Sequence, residues 1–298
     1  MYHTFLLLYK GTAALLRYLY IIKKYILMKK TILITGASRG FGKIWAEAFL
    51  KRGDNVIATA RNIDSLKDLA EAYGSSVLTL ELDVTDRTQT FEVLGKAHAH
   101  FGVLDVVINN AGYGLFGTIE EASEQEAREQ FEANVFGTLW VSQAAIPLMR
   151  NQGHGHIIQV SSVLGIASIP NLGLYNASKW AVEAMSEAMA AEIKAFGIHT
   201  TLVEPIGYST DWSGASAVHS KPIDVYDGLR AVVYEELKNM PFGNPDATAD
   251  AILKVVDEEV PPLRIFFGKT ALPWINQVYA DRLSQWEAWN EVSVAAHG

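Results

Sequence analysis

The sequence predicts an α/β fold built on a parallel β-sheet. Short apolar runs rich in β-branched residues, beginning with residues 31–34, alternate along the chain with helical patterns. A glycine-rich loop joins the first run to the first helical pattern, and polar residues directly follow later runs. Because open α/β sheets bind ligands beyond the carboxyl ends of their strands, these loops are the expected place for a site.

The composition fits one large domain that spans residues 28–298. The 298 residues are 49% hydrophobic and 19% charged, and no repeat or Pro/Gly-rich linker divides this body. The absence of cysteine excludes a disulfide framework and thiolate metal sites, so we expect a cytoplasmic protein. The net charge of −8 argues against nucleic acid as a partner, because phosphate binding needs a basic face.

Residues 1–27 are interpreted as a basic, amphipathic N-terminal extension. Charged residues interrupt every apolar run before it reaches the ~18 residues that span a bilayer. Lys10, Arg17 and Lys24 are seven apart and would form a basic stripe along a helix, which favours a membrane surface as the partner of this segment alone. The alternative is that Met28 is the natural start and that the preceding residues are an added extension.

The glycine loop at residues 35–42 follows the first strand and opens the first helix. Strand, glycine loop and helix together bring backbone N–H groups and a helix N-terminus up to a pyrophosphate. The spacing is G-x-x-x-G-x-G rather than the common G-x-G-x-x-G, so a plain tight turn remains the alternative.

The second strand, residues 55–60, ends at Arg61. A carboxylate at this point would bind the 2′-hydroxyl of NAD, whereas an arginine accommodates the 2′-phosphate of NADP. Arg61 and Arg39 offer two guanidinium groups for one phosphate, which favours NADPH over NADH. The alternative is that both are solvated surface arginines.

Tyr175 and Lys179 carry the acid–base chemistry that we expect. Residues four apart lie on one face of a helix, so the ammonium can approach the phenol. A nearby cation favours the phenolate, which should lower the tyrosine pKa from about 10 toward neutrality. Ser162 upstream could hold a carbonyl oxygen that the tyrosine protonates. Alone, such a pair is usually an ordinary half-exposed helix face.

Read together, these motifs resemble the short-chain dehydrogenase/reductase family over residues 29–268. The resemblance rests on T-G-x-x-x-G-x-G at 35–42, Asp83, N-N-A-G at 109–112, Asn134, Ser162 and Y-x-x-x-K at 175–179, in that order. It implies a doubly wound, seven-stranded parallel sheet with helices on both faces, a Rossmann fold. It also implies that one domain holds cofactor and substrate, and a homodimer or homotetramer formed through helices near Asn134 and Tyr175.

The resemblance also implies a role for each catalytic residue. Tyr175 would be the general acid and base, and Lys179 would bind the nicotinamide ribose and lower the tyrosine pKa. Ser162, selected over Ser161 by family spacing, would position the substrate oxygen. Asn134 would bend its helix and hold a water that links Lys179 to solvent. The implied cofactor-binding residues are Gly36, Ser38, Arg39, Gly40, Phe41, Gly42, Arg61, Asp83, Val84, Asn110, Ala111, Gly112, Tyr175, Lys179, Pro205 and Thr210.

The chain departs from the family after the strand at residues 200–203. Ile206 follows Pro205 where the family usually has glycine, so we expect the backbone near the nicotinamide and Thr210 to differ. The expected substrate residues are Ser162, Leu164, Tyr175 and Trp212. Because their surroundings are mostly apolar and no basic cluster awaits an anion, we expect an apolar ketone, aldehyde or secondary alcohol.

The last third of the chain adds a possible lid and a tail. Residues 213–227 are small and polar, which is typical of a mobile lid, with a surface loop as the alternative. A last strand at 263–268 precedes an aromatic helical pattern at 272–292. This tail resembles the steroid, retinol and general carbonyl reductases more than the reductases of fatty-acid synthesis. It could equally be a lid or an oligomer contact.

No metal site is expected, and the histidines His98, His100, His154 and His156 are interpreted as surface residues. The sequence therefore predicts an NADP(H)-dependent oxidoreductase of one domain with a C-terminal helical tail. The alternative from another class is a non-catalytic NADP(H)-binding regulator, since such folds are reused.

Overall fold

A computed structural model describes residues 29–210, 212, 214 and 217–298. The predicted N-terminal extension lies outside this range. Seven parallel strands form the central sheet in the order β3-β2-β1-β4-β6-β7-β9, and a two-stranded parallel sheet pairs β5 with β8. The strands are β1 Thr31–Ile34, β2 Asn55–Ala60, β3 Val77–Glu81, β4 Val106–Asn109, β5 Leu115–Phe116, β6 Gly155–Val160, β7 Ile198–Pro205, β8 Val218–His219 and β9 Arg264–Phe267.

Helices cover both faces of the central sheet, which confirms the predicted doubly wound architecture. Sheet order reverses at β1, which lies between β2 and β4. The carboxyl ends of β1 and β4 therefore open the crevice in which such sheets bind ligands. The helices are α1 Gly40–Arg52, α2 Lys67–Tyr73, α3 Arg87–Phe101, α4 Glu124–Phe131, α5 Gly137–Gln152, α6 Gly173–Ile193, α7 Asp227–Asn239, α8 Thr248–Asp257, α9 Ala271–Ala288 and α10 Asn290–Ala295.

Strand β1 shows how the apolar runs build two cores. Ile32 and Ile34 enter the cluster formed with α1 and α8, whereas Leu33 enters the opposite cluster with α3 and α5. Successive side chains of a strand point to opposite faces, so a strand buried on both sides must be apolar throughout. Each such side chain stabilises the fold by roughly 1.5–3 kcal/mol on burial.

Two predictions made from the sequence, the exposure of His156 and the single tail helix, need correction here. His156 is buried in β6, where its Nε2 lies 2.9 Å from the Thr201 hydroxyl, and burial lowers its pKa to about 3. The tail is two helices, α9 and α10, rather than one. Residues 218–219 of the expected lid form β8 against β5, while Asp211, Ser213, Ala215 and Ser216 lie outside the described residues.

None of the helices in the described ranges combines the length and the apolar character that crossing a bilayer requires.

Replacing Phe49 of α1 by alanine should destabilise the domain. Phe49 is fully buried between α1 and the sheet, so removing its ring leaves a cavity. We expect Phe49→Ala to lower the free energy of unfolding by about 3–5 kcal/mol, measured by urea denaturation followed by circular dichroism. Phe91→Ala on the exposed side of α3 is the matched control and should cost under about 1 kcal/mol. Equal losses for the two variants would contradict the assignment of this core.

Candidate active site

The glycine loop is held against the β4 loop by hydrogen bonds. The Asn110 side-chain amide donates to the carbonyls of Thr35 and Gly36 at 2.9 and 3.0 Å. The Thr35 hydroxyl accepts from the backbone N–H groups of Asn110 and Ala111, both at 3.0 Å. The sequence predicted Asn110 as a cofactor residue but missed this role of Thr35, although Thr35 opens the quoted motif.

The close approach of these loops requires glycine. A Cβ on Gly42 would lie 2.4 Å from the Gly36 carbonyl oxygen and 2.6 Å from Asn110 Nδ2. Gly36 and Gly40 have φ angles of +67° and +54°, which side chains rarely adopt. The loop can adopt this shape only because these positions are glycine, and such a cradle lets its backbone approach a pyrophosphate closely.

The N-terminus of α1 is open to an anion. Arg39 is the N-cap residue, is exposed, and makes no side-chain capping hydrogen bond, so the first N–H groups of the helix face the loop. Ser38 beside it is half-buried. The Phe41 ring packs on Trp45 and Tyr208, with ring centroids 5.2 and 5.1 Å apart. Phe41 therefore contributes only its backbone to the loop.

Three further residues predicted to bind the cofactor, Arg61, Asp83 and Val84, follow the carboxyl ends of β2 and β3. Arg61 is exposed at the end of β2. Asp83 Oδ1 accepts from the backbone and hydroxyl of Thr85 at 3.0 and 2.8 Å, which fixes the loop after β3. Val84 packs against Gly137, where a Cβ would lie 2.7 Å from Val84 Cγ2. These residues and the cradle fit a dinucleotide.

The acid–base pair lies on α6, as the spacing predicted. Tyr175 and Lys179 are 5% and 8% exposed, and Lys179 Nζ lies 5.8 Å from the centroid of the tyrosine ring. Lys179 Nζ donates to the Val160 carbonyl at the end of β6 at 2.8 Å. A Cβ on Gly112 would lie 3.8 Å from this nitrogen, so the N-N-A-G turn passes directly over it.

The pKa of Tyr175 differs from the prediction. Burial raises it well above the ordinary value, and only the hydrogen bond with Ser162 acts in the opposite direction. The prediction placed the ammonium close enough to the phenol to lower this pKa, but desolvation dominates in the folded chain. Burial also lowers the pKa of Lys179 to about 8, against the charge of Glu183, which raises it.

The structure separates the two adjacent serines. The Ser162 hydroxyl hydrogen-bonds the phenol of Tyr175, accepts from Leu164 N–H at 3.1 Å and lies 3.5 Å from the Pro205 carbonyl. Ser161 Oγ points elsewhere, since a Cβ on Gly165 would lie 2.7 Å from it. Only Ser162 therefore reaches the tyrosine.

Asn134 lies in a π-helical turn, Glu132–Phe136, between α4 and α5. Its Nδ2 donates to the Tyr113 carbonyl at 3.0 Å and to Ser178 Oγ at 3.1 Å, and its Oδ1 accepts from Tyr113 N–H at 3.1 Å. The expected local bend is present, and the side chain ties the β4 loop to α6. The water predicted to link Asn134 with Lys179 stays a prediction.

An apolar wall surrounds the phenol. The Trp212 ring lies 4.9 Å from the Tyr175 ring and 5.4 Å from Phe116, between centroids. Leu164 belongs to the same cluster, as does Ile275 of α9. Trp212, predicted to contact substrate, therefore lies next to the Tyr175 ring, and Leu164, predicted likewise, belongs to the same cluster.

The C-terminal helix α9 is fastened to the loop after Ser162. Arg282 donates to the Ile166 carbonyl at 2.8 Å, and its guanidinium lies over the rings of Trp180 and Tyr279, at 5.0 and 5.2 Å. The sequence offered no signal for Arg282, because Ile166 and Trp180 lie more than a hundred residues earlier in the chain. The tail thus packs against the apolar wall around the Tyr175 phenol.

The unexpected isoleucine after Pro205 is accommodated by a distant glycine. Ile206 N–H donates to the Phe267 carbonyl at 3.0 Å, and its side chain packs against the apolar cluster around Tyr175. A Cβ on Gly268, whose φ is +113°, would lie 2.4 Å from Ile206 Cγ2. Thr210 is half-buried, with its hydroxyl 3.4 Å from the Trp212 N–H.

Substituting Gly42 should damage the cradle specifically. We expect Gly42→Ala to weaken NADPH binding by at least about tenfold, since the new methyl group must displace Gly36 or Asn110. Isothermal titration calorimetry measures this loss. Gly95→Ala in α3 is the matched control, because a Cβ there meets nothing within 4 Å and should leave binding unchanged. Equal binding by both variants would contradict the cradle.

Comparisons with known proteins agree with this geometry. The family model described as short chain dehydrogenase matches residues 30–219. Oxidoreductase BOA17 of Botryotinia fuckeliana is 39% identical over 273 residues, covering 90% of this chain and 100% of that protein. The 3-ketodihydrosphingosine reductase of Bacteroides thetaiotaomicron is 36% identical over 241 residues, covering 80% of this chain and 87% of that protein.

Solved structures show the same fold. A short-chain dehydrogenase from Streptomyces avermitilis superposes with a TM-score of 0.84 at 35% identity, over 90% of this chain and 99% of that one. The alcohol dehydrogenase of Thermococcus sibiricus, complexed with 5-hydroxy-NADP, has a TM-score of 0.67 at 28% identity, over 80% and 96% of the two chains. The predicted family is thereby confirmed, and the chain is an oxidoreductase of the short-chain dehydrogenase/reductase family.

Proposed function

We propose that the protein is an NADP(H)-dependent oxidoreductase that interconverts an apolar ketone or aldehyde with the alcohol. The observation that carries the proposal is a buried phenol, that of Tyr175, which hydrogen-bonds Ser162 and lies beside Lys179 under an apolar wall. Such a group can transfer a proton to one substrate oxygen away from bulk water.

NADP(H) is the cofactor that the crevice favours. NADPH, when bound, supplies the hydride of the reduction. The glycine cradle and the N-terminus of α1 would hold its pyrophosphate, and the exposed Arg39 and Arg61 would take the 2′-phosphate. The solved complex of the Thermococcus relative with an NADP derivative supports this preference.

Tyr175 acts as the acid in the reduction. Because its pKa lies above the ordinary value, the phenol is protonated at neutral pH and can donate to a carbonyl oxygen. Ser162 Oγ, which hydrogen-bonds the phenol, holds the substrate carbonyl oxygen in place as negative charge develops on that oxygen. Lys179, with a pKa of about 8, is mostly charged at pH 7 and stabilises the phenolate left behind. The raised tyrosine pKa therefore suits the phenol to the role of proton donor.

The substrate carbon chain is apolar. Trp212, Leu164 and Phe116 surround the phenol with rings and aliphatic groups, and α9 closes the same cluster. Transfer of apolar surface from water into such a wall is favourable. The relative named 3-ketodihydrosphingosine reductase supports a keto compound as the substrate class.

A non-catalytic NADP(H)-binding regulator is the second candidate. The intact set of Ser162, Tyr175 and Lys179 weighs against it, because a sensor has no use for a proton donor beside the cofactor. We also propose that the protein is cytoplasmic and forms a homodimer or homotetramer.

Tyr175→Phe should abolish turnover and spare the cofactor site. We expect kcat for NADPH-dependent reduction of apolar ketones and aldehydes to fall by at least about a hundredfold, because the proton donor is gone. NADPH affinity, measured by calorimetry, should change less than about threefold. Tyr234→Phe on the exposed face of α7 is the matched control and should retain full activity. NADPH binding by the wild type without turnover on any carbonyl would favour the regulator.

Arg61→Ala should relax the cofactor preference. Losing a charged hydrogen bond to the 2′-phosphate costs about 1.5–3 kcal/mol, so the preference of kcat/KM for NADPH over NADH should fall by about tenfold or more. Arg128→Ala, which removes an exposed arginine from α4 instead, should leave the ratio unchanged. An unaltered ratio in Arg61→Ala would identify that residue as a solvated surface arginine.

A further inference from the structure

An acidic cluster with one arginine lies where α6, β7 and β9 meet, and the mechanism above makes no use of it. Glu183 of α6 and Glu204 of β7 are 4% and 0% exposed. Arg264 of β9 donates from Nε to Glu183 Oε2 at 2.9 Å and from Nη2 to Glu187 Oε2 at 2.6 Å. The same Nε lies 3.5 Å from Glu204 Oε1.

Three carboxyl oxygens of the cluster lack a hydrogen-bond donor if both buried carboxyl groups are ionised. Neither oxygen of Glu204 accepts a hydrogen bond from an N–H or O–H group of the described residues, and the same holds for Glu183 Oε1. The two carboxyl groups are within hydrogen-bond reach of each other. Because a buried carboxylate without a donor is strongly disfavoured, one proton shared by the pair would satisfy atoms that otherwise have no partner.

The arginine decides which carboxyl group keeps the proton. Of the two buried carboxyl groups, Arg264 Nε hydrogen-bonds only Glu183, at 2.9 Å, and lies 3.5 Å from Glu204, so negative charge is better stabilised on Glu183. Burial, and after it the charge of Glu183, raises the pKa of Glu204 to about 8, against the opposing effect of Arg264. Glu204 is therefore the protonated partner at neutral pH.

The pair contacts the elements that carry the catalytic residues. Tyr175, Lys179 and Glu183 follow one another at intervals of four along α6, and the charge of Glu183 raises the pKa of Lys179. A Cβ on Gly165, in the loop after Ser162, would lie 2.9 Å from Glu183 Cγ. The serine loop therefore packs directly on Glu183.

We propose that protonated Glu204 is a positioning residue, which donates a hydrogen bond to Glu183 and fixes the catalytic face of α6 to the end of β7. Glu204 precedes Pro205, whose carbonyl lies 3.5 Å from the Ser162 hydroxyl, so the same strand end meets the catalytic serine. Ionisation of Glu204 breaks the bond and sets two negative charges side by side. This role rests on the oxidoreductase function proposed above.

The first test compares the pH dependence of thermal stability in wild type and Glu204→Gln, which keeps a donor but cannot ionise. The folded-state pKa of Glu204 is raised above its ordinary 4.5. Its stabilising contribution is therefore complete below about pH 4.5 and is lost as the pH rises through about 8. Between about pH 5.5 and 8.5, we expect the Tm of the wild type to fall by at least about 3 °C relative to the variant.

The second test follows kcat/KM of the same two proteins over this pH range. Titration of Tyr175 and Lys179 is common to both and cancels in the ratio of wild type to Glu204→Gln. We expect this ratio to decrease by at least about threefold between about pH 6 and 9, because only the wild type loses the positioning hydrogen bond. Glu187→Gln, at the exposed end of the cluster, is the control and should show a constant ratio.

Each outcome decides the proposal. Parallel Tm curves overturn it, since Glu204 is then ionised in the folded protein. A Tm difference with a constant activity ratio overturns the positioning role. If no carbonyl is turned over by the wild type, the proposed function fails, while the Tm comparison still reports on the proton of Glu204. If Glu204→Gln does not fold, Glu183→Gln replaces it and should also flatten the pH dependence of Tm, because the neighbouring charge is gone.

Discussion

Burial of the Lys179 ammonium is the constraint on which the rest of the site depends. An isolated buried cation costs several kcal/mol, so its surroundings must supply acceptors and compensating charge. The end of β6 supplies the Val160 carbonyl, and Glu183 supplies negative charge one helical turn away. Gly112 can lie close to the Lys179 ammonium because it has no side chain. The π-helical turn places Asn134 against Gly112 and lets its amide donate to Ser178 of α6. The end of β6, the turn at Gly112 and the π-helical turn thus meet around the Lys179 side chain.

Burial in this part of the fold shifts the pKa values of Tyr175, Glu204 and Lys179, in opposite directions for the acids and the base. Desolvation raises the pKa of Tyr175 and of Glu204, and lowers that of Lys179. The result is a phenol that holds its proton at neutral pH beside an ammonium close to its own titration point. A site of this kind is suited to giving a proton to a carbonyl oxygen. The hydrogen bond from Ser162 moderates the tyrosine without reversing the effect of burial.

The apolar wall around the Tyr175 phenol is built from segments that are distant along the chain. The phenol is covered by Trp212, Phe116 comes from β5, and α9 closes the cluster from the C-terminal tail. Arg282 fixes that tail to the loop after Ser162 through one hydrogen bond and two ring contacts. Because the tail and the serine loop are joined, changes in the tail sequence can reshape the wall and leave the proton-transfer groups in place.

The sequence by itself determined the parallel α/β fold, the glycine loop and the spacing of Tyr175 and Lys179. These features depend on local geometry, since apolar runs, turns and helical intervals act within a few residues. Only the tertiary structure decided the direction of the tyrosine pKa shift, the burial of His156 and the match of Ile206 with Gly268. It alone also brought Glu204 to Glu183. Desolvation and steric fit depend on atoms that folding brings together from distant parts of the chain, and no spacing along the sequence records them.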